Sequence, residues 1–315
     1  MVGFSNIISH KIIKDILKND VLSQRLAQSY IFFGPEGIGK KLTAYAFSAF
    51  INCQKRSEDI CGNCTSCIML KKGVHPDIFL IKREGENILV DQINELHRIS
   101  ALKPFISFKK VFIIDEAERL TLEASNKLLK ILEEPPAHIV IILITKAIDK
   151  LPPTVISRCK VLRFRRLKEE EIESFLKKLN PNYNEEEIKL ISSLSCGSIS
   201  KALFFLDFFE NKKEETILII KSLLHDDIFK MYNTISKIVR SYEKDDLILL
   251  LDLIFIFIKF TLFKEKFPKF LDLSYFNEDL LFEFEENLLK SRDLLLYSNV
   301  NPMMIFENLF LSLRR

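Results

Sequence analysis

Three groups of residues in this 315-residue sequence have the types and spacing that do chemistry. The first is Gly34-Pro35-Glu36-Gly37-Ile38-Gly39-Lys40-Lys41, which matches G-x-x-x-x-G-K up to its last position. It follows an apolar run and opens a helical pattern. In that setting glycines let backbone N–H groups converge on phosphate oxygens, and the helix N-terminus adds partial positive charge. Lys40 would reach the outer phosphates as a point charge. The last position usually carries a Ser or Thr whose hydroxyl ligates the nucleotide's Mg²⁺. Here it is Lys41, whose ammonium has no lone pair to give and repels a metal. Thr43 lies two residues further along and faces elsewhere on the helix. ATP binding is left open, and efficient hydrolysis is disfavoured.

The second group is Val111-Phe112-Ile113-Ile114-Asp115-Glu116-Ala117-Glu118, an apolar strand ending in acids. In nucleotide-hydrolysing proteins with such a loop, the Asp supports Mg²⁺ and a following Glu can polarise the attacking water. Many strands end in carboxylates, so the pattern gains force only from its place downstream of the phosphate loop. With Lys41 present, a structural role for Asp115 and Glu116 is an equal alternative. The third group is Cys53, Cys61, Cys64 and Cys67. Two C-x2-C steps share Cys64, and Cys53 closes the set from the preceding helix end. Four thiolates suit tetrahedral Zn²⁺ and leave no open position for water, so the site is expected to be structural. Disulfides are the alternative. His75 lies nearby, but four Cys already fill the shell, and it is read as a loop residue.

These groups need a scaffold. Up to residue 165, apolar runs at Ser29–Phe33, Asp77–Lys82, Val111–Ile114 and Ile139–Ile144 alternate with helical patterns at Lys40–Asn52, Leu89–Ala101 and Leu122–Leu132. That alternation predicts a parallel sheet covered on both faces. After Arg166 the pattern is helical throughout. The predicted class is α/β plus all-α, with domains at 1–165, 166–210 and 211–315. Charge follows the first boundary: residues 1–165 carry 25 basic and 17 acidic residues, and residues 166–315 carry 21 and 26. A polyanion should therefore prefer the front half. Of the 27 Phe, 17 lie after residue 165, and they are read as helix-packing residues, since no basic pattern interleaves them. Lys103, Lys109 and Lys110, around Phe105 and Phe108, are read as a solvated basic face. No signal peptide is expected, and Leu247–Phe263 carries Asp252 and Lys259, which argues against a membrane span. A cytoplasmic protein with reduced thiols is expected.

Several segments together resemble the bacterial clamp-loader branch of the AAA+ ATPases. They are Arg25-Leu26-Ala27-Gln28-Ser29-Tyr30 before the phosphate loop, the Cys cluster after its helix, and the Asp115 strand. Further along, Leu128-Leu129-Lys130-Ile131-Leu132-Glu133-Glu134-Pro135-Pro136 and Ser157-Arg158-Cys159 are the most specific. The match runs over roughly residues 5–205. It implies an AAA+ P-loop domain with a zinc module at 53–67, a small helical lid and a C-terminal helical collar. It implies work in a five-membered ring with gamma/tau and delta subunits, which places a sliding clamp on primed DNA of the replicative DNA polymerase III. In that family the arginine of S-R-C, here Arg158, reaches the ATP of the neighbouring subunit, and Thr145 stands at a nucleotide-sensing position, where beside Lys41 a merely structural hydroxyl is an equal alternative.

Three departures favour the delta-prime type over the ATP-hydrolysing gamma/tau type. They are Lys41, Ser200 in place of a nucleotide-sensing Arg (with Lys201 one residue over on the helix), and a chain length with room for one collar only. The alternatives are a gamma/tau-type ATPase that tolerates Lys41 and, more remotely, a zinc-dependent nucleic-acid binder unrelated to loaders.

Overall fold

Seven consecutive residues, Ile139–Thr145 (β4), are all buried. An apolar run without polar alternation fits a strand covered on both faces. The computed structural model describes residues 3–181, 183–207, 228–262, 278–298 and 300–312. Four further strands, β1 (Ser29–Phe33), β2 (Ile78–Ile81), β3 (Lys110–Ile114) and β5 (Lys160–Arg163), join β4 in one sheet. All pairings are parallel, in the order β2-β3-β4-β1-β5. Phe33 sits opposite Thr145 and Ile114 opposite Leu143, so β1, β3 and β4 end together. Ligands of open parallel sheets bind beyond these carboxyl ends.

The helices that cover the sheet are α1 (Lys11–Leu22), α2 (Lys40–Asn52), α3 (Thr65–Lys71), α4 (Val90–Ser100), α5 (Leu122–Glu133) and the short α6 (Pro153–Ile156). Ile93 and Leu96 of α4 and Leu128 and Ile131 of α5 pack with Phe112, Ile114, Ile141 and Leu143 in one core. Thr121 caps α5, accepting from the Ala124 amide at 3.2 Å. α7 (Glu169–Leu179) and α8 (Glu185–Leu194) follow, then α9 (Ile199–Asp207). Strand β5 and helices α1, α3 and α6 have no counterpart among the elements expected from the sequence. The β5 sequence, Lys-Val-Leu-Arg, lies at the sheet edge with only Leu162 buried, so it lacks the apolar run that betrays β3 and β4.

The chain divides into two compact units, Met1–Leu203 and Phe204–Arg315. The expected boundary at 210/211 lies outside the described residues. In the second unit, α10 (Ile228–Ser241), α11 (Lys244–Leu262), α12 (Glu278–Tyr297) and α13 (Pro302–Ser312) pack together. Phe284, Phe306 and Phe310 are buried, with Phe310 5.6 Å from Phe284 and 6.4 Å from Phe306 between ring centroids. These phenylalanines fill helix interfaces, as expected. Asp252, one of the two charges inside the apolar stretch, accepts from Arg292 Nε at 2.5 Å. Among the described residues, no helix is long and apolar enough to cross a membrane.

Candidate nucleotide site and metal centre

The strand ends open onto a cavity of about 530 Å³. Gly37, Gly39, Lys40, Lys41, Asp115, Glu116 and Thr145 line it together, as the sequence motifs require. Gly34 lies at its back, its amide donating to Thr145 O at 3.2 Å. A Cβ there would sit 2.4 Å from Phe164 O, so only glycine lets the loop pass. Gly37 has φ +73°, and a Cβ on it would meet Ser198 Oγ at 2.2 Å. The Ser200 amide donates to Gly37 O at 3.1 Å, which places the Gly197–Ser200 turn against the phosphate loop.

Lys40 is 8% exposed. Its Nζ donates to Gly34 O at 2.6 Å and to Pro35 O. An ammonium has three donors, so one remains for a ligand. Burial holds this ammonium below the usual lysine range, with the Glu118, Glu36 and Asp115 carboxylates opposing that shift. Lys41 Nζ lies 2.9 Å from Asp115 Oδ2. Thr43 donates to Gly39 O at 2.9 Å inside its own helix turn and is turned away from the cavity, as expected. Glu116, in the left-handed region at φ 51°, pairs with Arg83 Nε at 2.9 Å. Thr145 is buried, and its hydroxyl accepts from the Ala147 amide at 3.1 Å. Ser200 lines the cavity; Lys201 is exposed and outside it.

Several residues of the site escaped the sequence reading. Glu118 Oε2 is buried without a hydrogen-bond partner among the described residues, an acceptor open to a ligand donor. Ile7, Ile8, Ser9 and His10 form one wall. His10 Nε2 is 2.9 Å from Ile38 O, and its ring packs edge-on to Phe164 at 4.8 Å. Lys146 pairs with Glu36 across the mouth at 2.9 Å. Glu118 closes the acidic motif and Glu36 lies in the phosphate loop, but the sequence assigns neither a role there; Ile7–His10 and Lys146 stand outside any motif, and only the fold brings them in.

Arg158 does not line the cavity. It follows α6, where its Nη2 donates to Glu133 Oε1 at 2.8 Å and its Nη1 to Thr154 O at 2.9 Å. The two most specific segments of the sequence, the one ending in Glu133-Glu134-Pro135-Pro136 and Ser157-Arg158-Cys159, are thus joined by an ion pair.

The four sulfurs of Cys53, Cys61, Cys64 and Cys67 lie within 4.8 Å of one another, and no two of them are bonded to each other. A tetrahedron with bonds of about 2.3 Å places sulfurs roughly 3.8 Å apart, so this set fits a zinc ion. Burial pushes the Cys53 and Cys67 thiols up, a cost that a bound cation would offset. Asn63 and Cys64 amides hold the Cys61 thiol down, to about 6. Cys53 ends α2, the helix that starts at the phosphate loop. Arg56 ties the module inward through Ile51 O and Cys53 O at 3.0 and 3.1 Å. Asp59 accepts from the Phe4 and Ser5 amides at 3.0 and 2.8 Å, fastening the segment that leads into the Ile7–His10 wall.

His75 is no metal ligand: its Nδ1 accepts from the Asp77 amide at 3.1 Å and its Nε2 faces Ser66 Oγ at 2.9 Å. The basic face expected at residues 103–110 is corrected. Lys110 is buried and donates to Ile99 O at 2.9 Å, Lys109 donates to Ala137 O, and only Lys103 of the three is exposed.

Residues 9–168 match the family described as DNA polymerase III, delta subunit. The chain belongs to this family. Relatives of this family member include the tau subunit of DNA polymerase III from Bacillus subtilis, 30% identical over 83% of this chain and 50% of tau. The delta-prime subunit of the same organism is 35% identical over 51% of this chain and 49% of its own. The chain thus spans about half the length of either. Among solved structures, a gamma-subunit-related protein from Thermotoga maritima superposes with a TM-score of 0.58 at 17% identity, covering 98% of this chain and 99% of that one. The parallel sheet with covering helices and the helical C-terminal region thus share the fold of that gamma-subunit-related protein, in line with the expected α/β plus all-α class.

Proposed function

We propose that this chain is a delta-prime-type subunit of a DNA polymerase III clamp loader. In this reading it joins gamma/tau and delta subunits in a five-membered ring that places the sliding clamp on primed DNA. Its own phosphate loop hydrolyses little or no ATP, and Arg158 completes the site of a neighbouring ATPase. The Cys53, Cys61, Cys64 and Cys67 set holds structural zinc, residues 166–210 serve as lid and residues 211–315 as collar.

The observation that carries this reading is the Lys41–Asp115 ion pair at 2.9 Å. A hydrolytic site of this kind needs a hydroxyl and a carboxylate on Mg²⁺; here the two positions hold each other. A guanidinium reaching a neighbour's phosphoryl group stabilises its developing charge, and such a contribution is worth about 10³–10⁵ in rate. The reading is tested in the assembled loader. Arg158→Ala should slow DNA- and clamp-stimulated ATP hydrolysis by at least about tenfold, while the isolated wild-type chain turns over no ATP above background. Unchanged hydrolysis by the mutant loader would falsify the role of Arg158.

A second reading, a gamma/tau-type ATPase, is favoured by one observation: Asp115, Glu116 and Thr145 all line the cavity with Lys40. Turnover by the isolated chain, abolished by Lys40→Ala, would establish it.

A further inference from the structure

Three of the four carboxylates lining the cavity are paired with a base, and the fourth, Glu118, keeps one buried oxygen without a partner among the described residues. Glu36 is held by Lys146, Glu116 by Arg83 and Asp115 by Lys41, each at 2.9 Å. Lys40 keeps one donor free after serving the Gly34 and Pro35 carbonyls. A divalent cation here would need oxygen ligands from the position after Lys40 and from the β3 end. The first position offers an ammonium, which has no acceptor, and the second offers a carboxylate already facing that ammonium. Mg²⁺ could reach Asp115 only by displacing Lys41 or by sitting a few ångströms from a like charge. These residues do not fit magnesium.

They still fit an anion. The loop keeps the glycine at Gly37 where a side chain would strike Ser198, and the α2 N-terminus opens at Gly39 and Lys40. Beside Asp115 sits a fixed positive charge, 42% exposed and within the cavity lining. We propose that this site binds a nucleoside polyphosphate free of divalent metal, with the Lys41 ammonium bridging Asp115 and the outer phosphates where a metal ion would otherwise stand. The inference rests on the reading of this phosphate loop as non-hydrolytic, and it gives that reading a cause. A lysine neutralises ground-state phosphate charge, but it cannot chelate two phosphate oxygens or order an attacking water as a metal does. The subunit would hold its nucleotide as a fixed element of the loop and lid.

The test titrates ATP, and separately ADP, into the full chain by calorimetry, once in excess Mg²⁺ and once in EDTA held just above the trace Mg²⁺, with the zinc content of the protein measured as unchanged after each titration. Wild type should bind equally in the two, within about threefold. Lys41→Thr, which restores the hydroxyl, should bind at least about tenfold tighter with Mg²⁺ than with EDTA. Lys41→Gln, which removes the charge and restores nothing, should lose at least about tenfold in both. Wild-type binding that disappears in EDTA, or that is absent in both conditions, overturns the inference; so does a Lys41→Gln variant that binds like wild type. If a variant fails to fold, the two wild-type titrations decide alone. Hydrolysis is followed in the same Mg²⁺ samples. Turnover by wild type sinks the non-hydrolytic reading, whereas Mg²⁺-dependent binding without turnover sinks only the metal-free inference.

Discussion

Asp77 illustrates how single side chains hold this fold. It is fully buried, and its carboxylate accepts from the Phe105, Ile106 and Ser107 amides at 2.7, 2.9 and 3.1 Å. Those three donors fix the loop between α4 and β3 and present Phe105 to solvent at 82% exposure. Asp77→Asn keeps the shape but turns one acceptor into a donor facing amide hydrogens. Hydrogen bonds to charged groups contribute about 1.5–3 kcal/mol each, and a buried donor left unmatched adds to the loss. The variant should therefore lower stability by about 2–4 kcal/mol, read as an earlier urea midpoint. An unchanged midpoint would show that the loop stands without the carboxylate. Nothing in the sequence marks Asp77 off from other acids, because its partners lie 28–30 residues away. The same holds for Asp59, whose Phe4 and Ser5 partners lie 55 and 54 residues away. By contrast, the phosphate loop and Asp115 were legible, since their chemistry is written in adjacent residues.

At the scale of elements, legibility tracked burial. β3 and β4 are buried along their whole length, so continuous apolar runs gave them away to within a residue. β2 is only half-buried throughout and β5 has one buried residue, and the latter went unseen. The zinc module shows what an element can do beyond its own residues. α2 runs from the phosphate loop to Cys53, and Asp59 grips the helical turn Phe4–Asn6 that leads into the Ile7–His10 wall. Stripping the metal should thus loosen both ends of that frame. We expect a chelator strong enough to remove zinc to lower the melting temperature of the full chain, added Zn²⁺ to restore it, and nucleotide affinity to fall with the metal although no cysteine lines the cavity. A melting curve indifferent to chelation, in protein from which metal has been shown to leave, would remove the structural role.

For the molecule as a whole, formal charge proved a poor guide to exposed charge. The front 165 residues carry the basic excess. Yet Lys40, Lys109 and Lys110 serve backbone carbonyls, and Lys41, Arg83, Lys146, Arg158 and Lys160 serve carboxylates. The carboxylate pairs cancel basic against acidic charge one for one and leave the excess itself intact, so they set where charge is neutralised and not how much remains. Global stability should also respond to pH through His10. Burial lowers its pKa below 6.5, helped by Lys14 and Lys40 and opposed by the Ile38 carbonyl and Glu171. A lowered folded pKa means that the unfolded chain takes up the proton first as pH falls. The stability due to the neutral ring is full above pH 6.5 and declines as pH drops through that value toward the folded pKa. His10→Gln can still donate to Ile38 O but does not titrate, and it should flatten this part of the melting-temperature profile between about pH 7 and pH 5. Parallel profiles for the two proteins would exclude the effect.

The pair between Glu133 and Arg158 has a bearing on assembly. Free in solution, an arginine side chain carries about 2 kcal/mol of rotamer entropy that any partner must quench. Here a carboxylate 51% exposed has already done so, at 2.8 Å and in a setting where surface ion pairs are worth only about 0–1 kcal/mol. The guanidinium is thus parked, aligned before any neighbour arrives yet tethered weakly enough to change hands. For the trans role proposed above, docking would swap one anion for another instead of ordering a disordered side chain.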